Sequence, residues 1–347
     1  MTYRVAINGY GRIGQSVLRV LYAHGYRRHI QVVAINELAD LATLSYLTRF
    51  DTTHGRFQGQ VQVLPDDSGL VVNGDTITVT RIAEPDALPW AELNVDLVLE
   101  CTGVFTSRLD AQRHLHAGAQ RVLFSQPAEA DVDQTIVYGV NHQTLTAADR
   151  IVSAASCTTN CIVPVIQTLN RAFGIEQGTI TTIHSAMNDQ PVIDAYHHTD
   201  LRRTRSAMQN IVPVDTGLAK GIERILPALS GRFTAMAVRV PTINVSAMDL
   251  TLNLSKTVTS GEVNKVLQEA SLNGLQGVLD YTEEPVASSD FKQDRHSGIV
   301  DGSQTRVTNG RLVKVFTWFD NEWGFANRML DVASVWMGAA SPDKRTS

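Results

Sequence analysis

The stretch "YRVAINGYGRIGQSVLRVLYAHG" (3–25) decides the fold. "YRVAIN" reads as a strand, "GYGRIG" as a glycine turn and "QSVLRVLYAHG" as a helix. That helix carries Val17, Leu18, Leu21 and Tyr22 at helical spacing, with Gly25 placed to stop it. Gly9, Gly11 and Gly14 form G-x-G-x-x-G between a strand and a helix, the context in which this pattern binds a dinucleotide. The glycines permit a tight turn and a close approach of backbone to a pyrophosphate, whose charge sits on the helix N-terminus. A second strand, "IQVVAIN" (30–36), runs directly into Glu37. A carboxylate there accepts hydrogen bonds from ribose hydroxyls and repels a 2′-phosphate, which favours NAD over NADP.

Outward from this unit, "VDLVLECTG" (95–103) and "RVLFS" (121–125) read as further core strands, with "LDAQRHLHAGA" (109–119) as a helix between them. Such alternation predicts a doubly wound, mainly parallel sheet. Residues 61–82 read as a small antiparallel insertion with turns at 66–69 and at Asn73-Gly74. Past residue 155 the pattern changes to long strands: "GTITTIHSAM", "FTAMAVRVPT", "SAMDLTLNLS" and "RLVKVFTWFD". Few helices separate them, so a second α+β domain is expected, with a mostly antiparallel or mixed sheet. The last helix, about 321–337, carries Ala326, Met329, Leu330, Ala333 and Trp336 on one stripe, expected to pack back on the first domain. The tail "AASPDKRTS" is expected to fray.

Bulk properties narrow the class. The 347 residues are 43 % hydrophobic and 19 % charged, ordinary composition for two globular domains. A net charge of −5 argues against a dedicated nucleic-acid site, which needs a concentrated basic surface. Three cysteines make no disulfide framework and point to a reducing compartment. "MTYRVAINGYGRIG" has no long apolar segment, so no signal peptide is expected, and no run approaches the roughly 18 apolar residues of a membrane span. The expected location is the cytoplasm.

The stretch "SAASCTTNCIVPVIQTLN" (153–170) sets two cysteines four residues apart at the start of an apolar run. Zinc commonly takes four ligands in close pairs, and there is no second pair here, so no metal is expected. A disulfide between positions i and i+4 of one helix is geometrically poor. That leaves Cys157 as a nucleophile at a helix N-terminus, where the dipole and free N–H groups favour a thiolate. Cys161, one turn on, reads as a small buried helix residue. Ten histidines compete to be its base. His24, His29, His114 and His116 read as solvated surface residues. His184 ends the run "TITTI"; by residue type alone it reads equally as a catalytic base or a satisfied core histidine, and the neighbouring "SAMNDQ" and "DLRRTR" draw attention to it.

The segments "INGYGRIG", "SCTTNC", "TTIHSAMNDQ", "DLRRTR", "AVRVPT" and "WFDNEWGFANRM" resemble, in order and spacing, those of the glyceraldehyde-3-phosphate dehydrogenase superfamily over essentially the whole chain. The segments "NEL", "HSAM", "QPVIDAYH", "IVPVDT" and "GIVDGSQTRV" resemble its erythrose-4-phosphate dehydrogenase branch. The resemblance implies a Rossmann NAD-binding domain from 1–156 and 321–347, interrupted by a catalytic domain from 157–320. It implies Cys157 as nucleophile and His184 as base. Gly9, Gly11, Arg12, Ile13, Gly14, Glu37 and Asn321 would hold NAD, Asn321 at the nicotinamide carboxamide; as a good capping residue, Asn321 is also a candidate cap of the last helix. Ser156, Thr158, Arg203, Thr216, Gly217 and Arg239 would bind a sugar-phosphate substrate, in a homotetramer.

One position departs from the pattern. Three residues after the histidine the glyceraldehyde enzyme usually has a phosphate-binding threonine, and here it is Met187. The branch resemblance implies oxidation of D-erythrose 4-phosphate to 4-phosphoerythronate through a cysteine thioester cleaved by water, an early step toward pyridoxal phosphate. The alternative is a phosphorylating glyceraldehyde-3-phosphate dehydrogenase of glycolysis. Two other classes fit less: a cofactor-free cysteine hydrolase has no use for the glycine turn with Glu37, and a non-catalytic nucleotide binder has no use for the cysteine and histidine.

Overall fold

The computed structural model describes residues 2–196 and 200–338, so the expected fraying of 339–347 and the last residue of "QPVIDAYH" lie outside the described residues. The chain divides into two compact units, residues 1–156 with 326–347 and residues 157–325. Residues 321–325 thus group with the second.

Unit one holds β1 (Tyr3–Asn8), α1 (Arg12–Ala23), β2 (Ile30–Asn36), α2 (Leu41–Arg49), β3 (Val61–Val63), β4 (Gly69–Val72), β5 (Asp75–Thr80), β6 (Leu97–Glu100), α3 (Arg108–His116), β7 (Arg121–Phe124), β8 (Gln134–Thr135) and β9 (Ile151–Ser153). The sheet order is β8-β9-β7-β6-β1-β2-β5-β4-β3. It is parallel from β8 to β5, and antiparallel where β4 and β3 extend it. The expected insertion at 61–82 is therefore two added strands plus β5, which also joins the parallel sheet. Buried Ala6, Val33, Trp90, Val98, Phe124 and Ile151 form one core cluster. Gly25 stops α1 as read, in a left-handed conformation (φ 77°).

The carboxyl ends of the central strands carry a polar row that the sequence did not announce. Register places Asn8 between Asn36 and Glu100. Thr80 Oγ1 donates to Asn36 Oδ1 (2.8 Å), Asn36 Nδ2 to Asn8 Oδ1 (2.8 Å) and Asn8 Nδ2 to Glu100 Oε2 (2.6 Å). Glu100 is fully buried, and so is His114, whose Nε2 lies 3.1 Å from Glu100 Oε2. Trp90 Nε1, a donor only, gives its hydrogen to His114 Nδ1 at 3.1 Å. His114 is therefore the neutral Nε2–H tautomer, donating to the carboxylate. The surface reading of His114 is corrected: its partners lie 14 and 24 residues away, where helical periodicity carries no signal.

Unit two holds α4 (Cys157–Phe173), β10 (Ile175–His184), β11 (Val212–Val214), α5 (Leu218–Ile225), β12 (Phe233–Arg239), β13 (Ser246–Leu254), α6 (Ser260–Leu272), β14 (Leu279–Thr282), β15 (Gly298–Asp301), β16 (Arg306–Thr308) and β17 (Leu312–Phe319). The order is β11-β12-β10-β13-β17-β15-β14, with β16 on β17. Only β10–β12 and β14–β15 are parallel pairs, so this sheet is mixed. Helix α4 packs on the sheet: a Cβ built at Gly298 would meet Cys161 Sγ at 3.1 Å. Cys161 is thus a packing residue. The last helix, α7 (Trp323–Trp336), begins in unit two and from Ala326 onward belongs to unit one. There Tyr26 Oη donates to Asp331 Oδ1 (2.9 Å), and all five residues of the apolar stripe are buried. No described helix is long and apolar enough to cross a membrane.

Candidate active site

In unit one the three glycines do separate work. Gly9 has φ 89°, and a Cβ there would stand 2.6 Å from Thr102 N. At Gly14 it would stand 2.3 Å from Gly9 O, so the third glycine lets α1 seat against the turn. At Gly11 it would meet nothing within 4 Å. Gly11 is the N-cap of α1, makes no side-chain cap bond, and leaves open space where a phosphate group can approach backbone. Arg12 and Ile13 supply the first turn of the helix. The Arg12 guanidinium pairs with Asp51, which holds the Asp51 carboxyl down at about 2, so Arg12 would serve a cofactor through its backbone. Glu37 accepts from Tyr10 N and Leu38 N, each at 2.8 Å, and stands directly after β2, beside the turn. An open cradle, an uncapped helix end and a carboxylate one strand over fit the pyrophosphate and ribose of a dinucleotide.

In unit two, α4 starts at Cys157, and the chain enters it through Ala155 at φ 60°. A non-glycine residue there is strained, and such strain gathers at functional turns. The backbone N–H groups of Cys157 and Thr158 act on the sulfur and favour its anion, but burial outweighs them and Asp320 and Glu322 add negative charge, so the thiol is pushed up to about 12. His184 closes β10, 8 % exposed. Its Nδ1 lies 2.8 Å from Ser185 O, an acceptor only, so Nδ1 carries the proton and Nε2 is the bare nitrogen. Nε2 lies 3.9 Å from Cys157 Sγ. Burial, with the Arg239 charge after it, holds the imidazole below its ordinary pKa, so it is neutral at pH 7. The arrangement is a thiol facing an unprotonated base.

Arg239 is the register partner of His184 on the adjacent parallel strand. Its guanidinium forks onto Asp189, Nη1 to Oδ1 at 2.6 Å and Nη2 to Oδ2 at 3.0 Å, and Nη2 also lies 3.6 Å from Met187 Sδ. Arg203 Nη1 reaches the same Asp189 Oδ2 at 3.0 Å. Arg239 and Arg203 are therefore brought together by a residue that the sequence reading quoted but did not single out. Thr216 Oγ1 accepts from Leu218 N (3.2 Å), and Gly217 caps α5 with open space where a side chain would stand. A Cβ at Gly221 would come 2.9 Å from Thr159 Oγ1, so the first turns of α5 and α4 meet; Thr158 lies in the first turn of α4 and Thr216 and Gly217 directly precede α5, while Ser156 is the residue before α4.

Asn321 Oδ1 accepts from Ser185 Oγ and Ser246 Oγ, both at 3.0 Å, which leaves its amide nitrogen as the group on offer. Ser246 follows Val245, held at φ 65°. Asn321 is not the cap of α7. Asp320 takes that part, its Oδ1 accepting from Glu322 N (2.9 Å) and Trp323 N (2.8 Å), while Asn321 Oδ1 is taken by the two serines.

Residues 3–108 match the glyceraldehyde 3-phosphate dehydrogenase NAD binding domain, and residues 156–321 match the C-terminal domain of the same enzyme. The dinucleotide cradle lies within the first match, and the cysteine–histidine pair within the second. With both domains present in order, this chain belongs to the glyceraldehyde-3-phosphate dehydrogenase family: it is an NAD-dependent oxidoreductase acting on the aldehyde of a sugar phosphate.

Proposed function

We propose that this enzyme oxidises D-erythrose 4-phosphate to 4-phosphoerythronate, with Cys157 as nucleophile and water as final acyl acceptor. The observation that carries the reaction is the facing of Cys157 Sγ and the unprotonated Nε2 of His184. Sγ attacks the aldehyde carbon, and the thiol proton passes by way of His184 Nε2 to the carbonyl oxygen, which becomes the hydroxyl of the hemithioacetal. His184 Nε2 then takes the hydroxyl proton as the C–O bond becomes a carbonyl, leaving a thioester on Cys157. Bound NAD supplies the hydride acceptor. In the second half His184, having released its proton to solvent, takes a proton from water, whose oxygen bonds to the acyl carbon; the C–S bond breaks, and the leaving thiolate takes that proton back from His184. The N–H groups at the start of α4 favour that thiolate.

The substrate reading is supported by Met187. Its sulfur sits against Arg239 where a hydroxyl would add a phosphate donor. One lost hydrogen bond to a charged group costs about 1.5–3 kcal/mol, roughly ten- to a hundredfold in binding. A three-carbon substrate that must place its phosphate there is disfavoured, and a sugar one carbon longer can reach past it. A route toward pyridoxal phosphate, in the cytoplasm, accords with the same resemblance. A homotetramer accords with exposed Val192, Ile193, Tyr196, Leu201 and Ile211, apolar side chains that suit a covered surface.

The test compares kcat/KM for erythrose 4-phosphate and glyceraldehyde 3-phosphate, with NAD, with and without inorganic phosphate. Erythrose 4-phosphate is expected to be better and its turnover indifferent to phosphate. Preference for glyceraldehyde 3-phosphate with phosphate-dependent turnover would overturn the reading in favour of a phosphorylating glyceraldehyde-3-phosphate dehydrogenase.

A further inference from the structure

We infer that Asp189 is a specificity-determining residue: a carboxylate built into the anion seat of Arg239 and Arg203, where it stands in the place of inorganic phosphate. The inference rests on the proposed reading of that seat as the one a substrate phosphate approaches. Its ground is the geometry. Asp189 gives both oxygens to the fork of Arg239, and one of them also to Arg203. Arg203 Nε lies 3.4 Å from Asp200 Oδ2 as well. Two guanidinium groups and two carboxylates are formally neutral, so the seat offers an incoming anion no net charge while Asp189 stays in place.

Exposure decides which partner can give way. The Arg239 side chain is 7 % exposed, and the Asp189 side chain 39 %. A buried guanidinium needs an anion beside it, because an unpaired buried charge is costly. The half-exposed carboxylate, in contrast, can turn to water and be hydrated there. The seat is therefore always filled, either by Asp189 or by a ligand that displaces it. Displacement costs the bidentate pair, about the strongest hydrogen-bonded geometry a carboxylate makes. Free inorganic phosphate must meet that cost with its own contacts alone. The four-carbon sugar phosphate, held by its covalent bond to Cys157, need not meet that cost, because its phosphate reaches past the seat. The same carboxylate thus discriminates against inorganic phosphate while tolerating the tethered substrate. The seat is also within reach of the base: the charges of both Arg239 and Asp189 act on His184, in opposite senses.

The test removes the charge and keeps the shape. In Asp189→Asn, inorganic phosphate is read by its stabilisation of the protein against heat, relative to potassium chloride at equal ionic strength, and by its effect on thioester turnover. Half-saturation by phosphate is expected to fall ten- to a hundredfold, while Asp189→Glu, which keeps the charge, stays indifferent. If Asp189→Asn does not fold, Asp189→Ser carries the same two readouts. Unchanged phosphate affinity in a folded neutral variant, with only kcat altered, would overturn the inference and reduce Asp189 to a positioning residue for Arg239. The heat readout needs no turnover, so the two failures separate. A wild-type protein inactive on aldehydes sinks the proposed function, and a wild type active on erythrose 4-phosphate whose neutral variant gains no phosphate affinity sinks only the role of Asp189.

Discussion

Replacing His184 by Asn tests the central geometry most directly. With the thiol pushed up to about 12, on the order of one cysteine in 10⁵ is ionised at pH 7 without help. In the wild type, Nε2 at 3.9 Å is placed to take the proton as the sulfur attacks. Asn keeps a polar side chain of similar reach but no base, so activity should fall by roughly two to four orders of magnitude. The pH profile should change as well. Burial lowers the imidazole pKa below its ordinary value near 6.5. A depressed base is unprotonated over a wider range, so wild-type activity should hold across neutral pH and fall only as pH drops through that lowered value. The variant should lack this acid limb. Its rate of NADH formation, and its rate of alkylation by iodoacetamide, should instead climb about tenfold per pH unit between pH 7 and 10, following the thiolate. A variant that keeps the acid limb and loses less than tenfold would refute the argument.

Three further outcomes are expected. Cys157→Ser should abolish NADH formation, while Cys161→Ser keeps it and loses about 1–3 kcal/mol in urea denaturation, because a hydroxyl is then buried against Gly298; an inactive, stable Cys161→Ser would reverse the assignment. Glu37→Ala should raise KM for NAD roughly ten- to a hundredfold and narrow the preference over NADP, and wild-type efficiency equal with both cofactors would count against the ribose role. His114→Leu should cost about 2–5 kcal/mol, since the Trp90 indole loses its acceptor and buried Glu100 loses a donor; a change under about 0.5 kcal/mol would disprove the tautomer assignment.

What the sequence displayed were features whose causes are local. The glycine turn is legible because steric demands fix glycine at particular positions of one turn, and the contacts an added Cβ would meet at Gly9 and Gly14 are two of those demands. Cys157 at a helix start and His184 at a strand end follow from the two ends of apolar runs. The two-domain architecture follows from the change in strand length and alternation near residue 155. What stayed hidden depends on contacts distant along the chain. Asp189 and Arg239 are 50 positions apart, and Asn8 and Glu100 are 92 apart. Asp189, at the end of "SAMND", carries no period or motif of its own; only the fold supplies its two arginines. His114 lies in a helix of weak apolar contrast, so nothing local marks it as buried. Asn321 and Asp320 are equally good capping types side by side, and what separates them is distant: Asn321 Oδ1 is bonded to Ser185 and Ser246, 136 and 75 positions away.

The side-by-side register of His184 and Arg239 carries a rule of parity. Side chains on a strand alternate between faces, and partners in register on parallel neighbours share one. Inserting or deleting a single residue inside β10 or β12 would turn one of the pair to the opposite face and leave the other behind. The base and the guanidinium beside it are therefore mechanically yoked: the framework permits both or neither. Asp189, Met187 and Arg203 stand outside those strands, in connecting chain that tolerates change. Redesign for a longer or shorter phosphorylated aldehyde has its freedom in residues 187–196 and 200–211, where the reach of the seat can be reset while Ser185 O keeps the proton on His184 Nδ1.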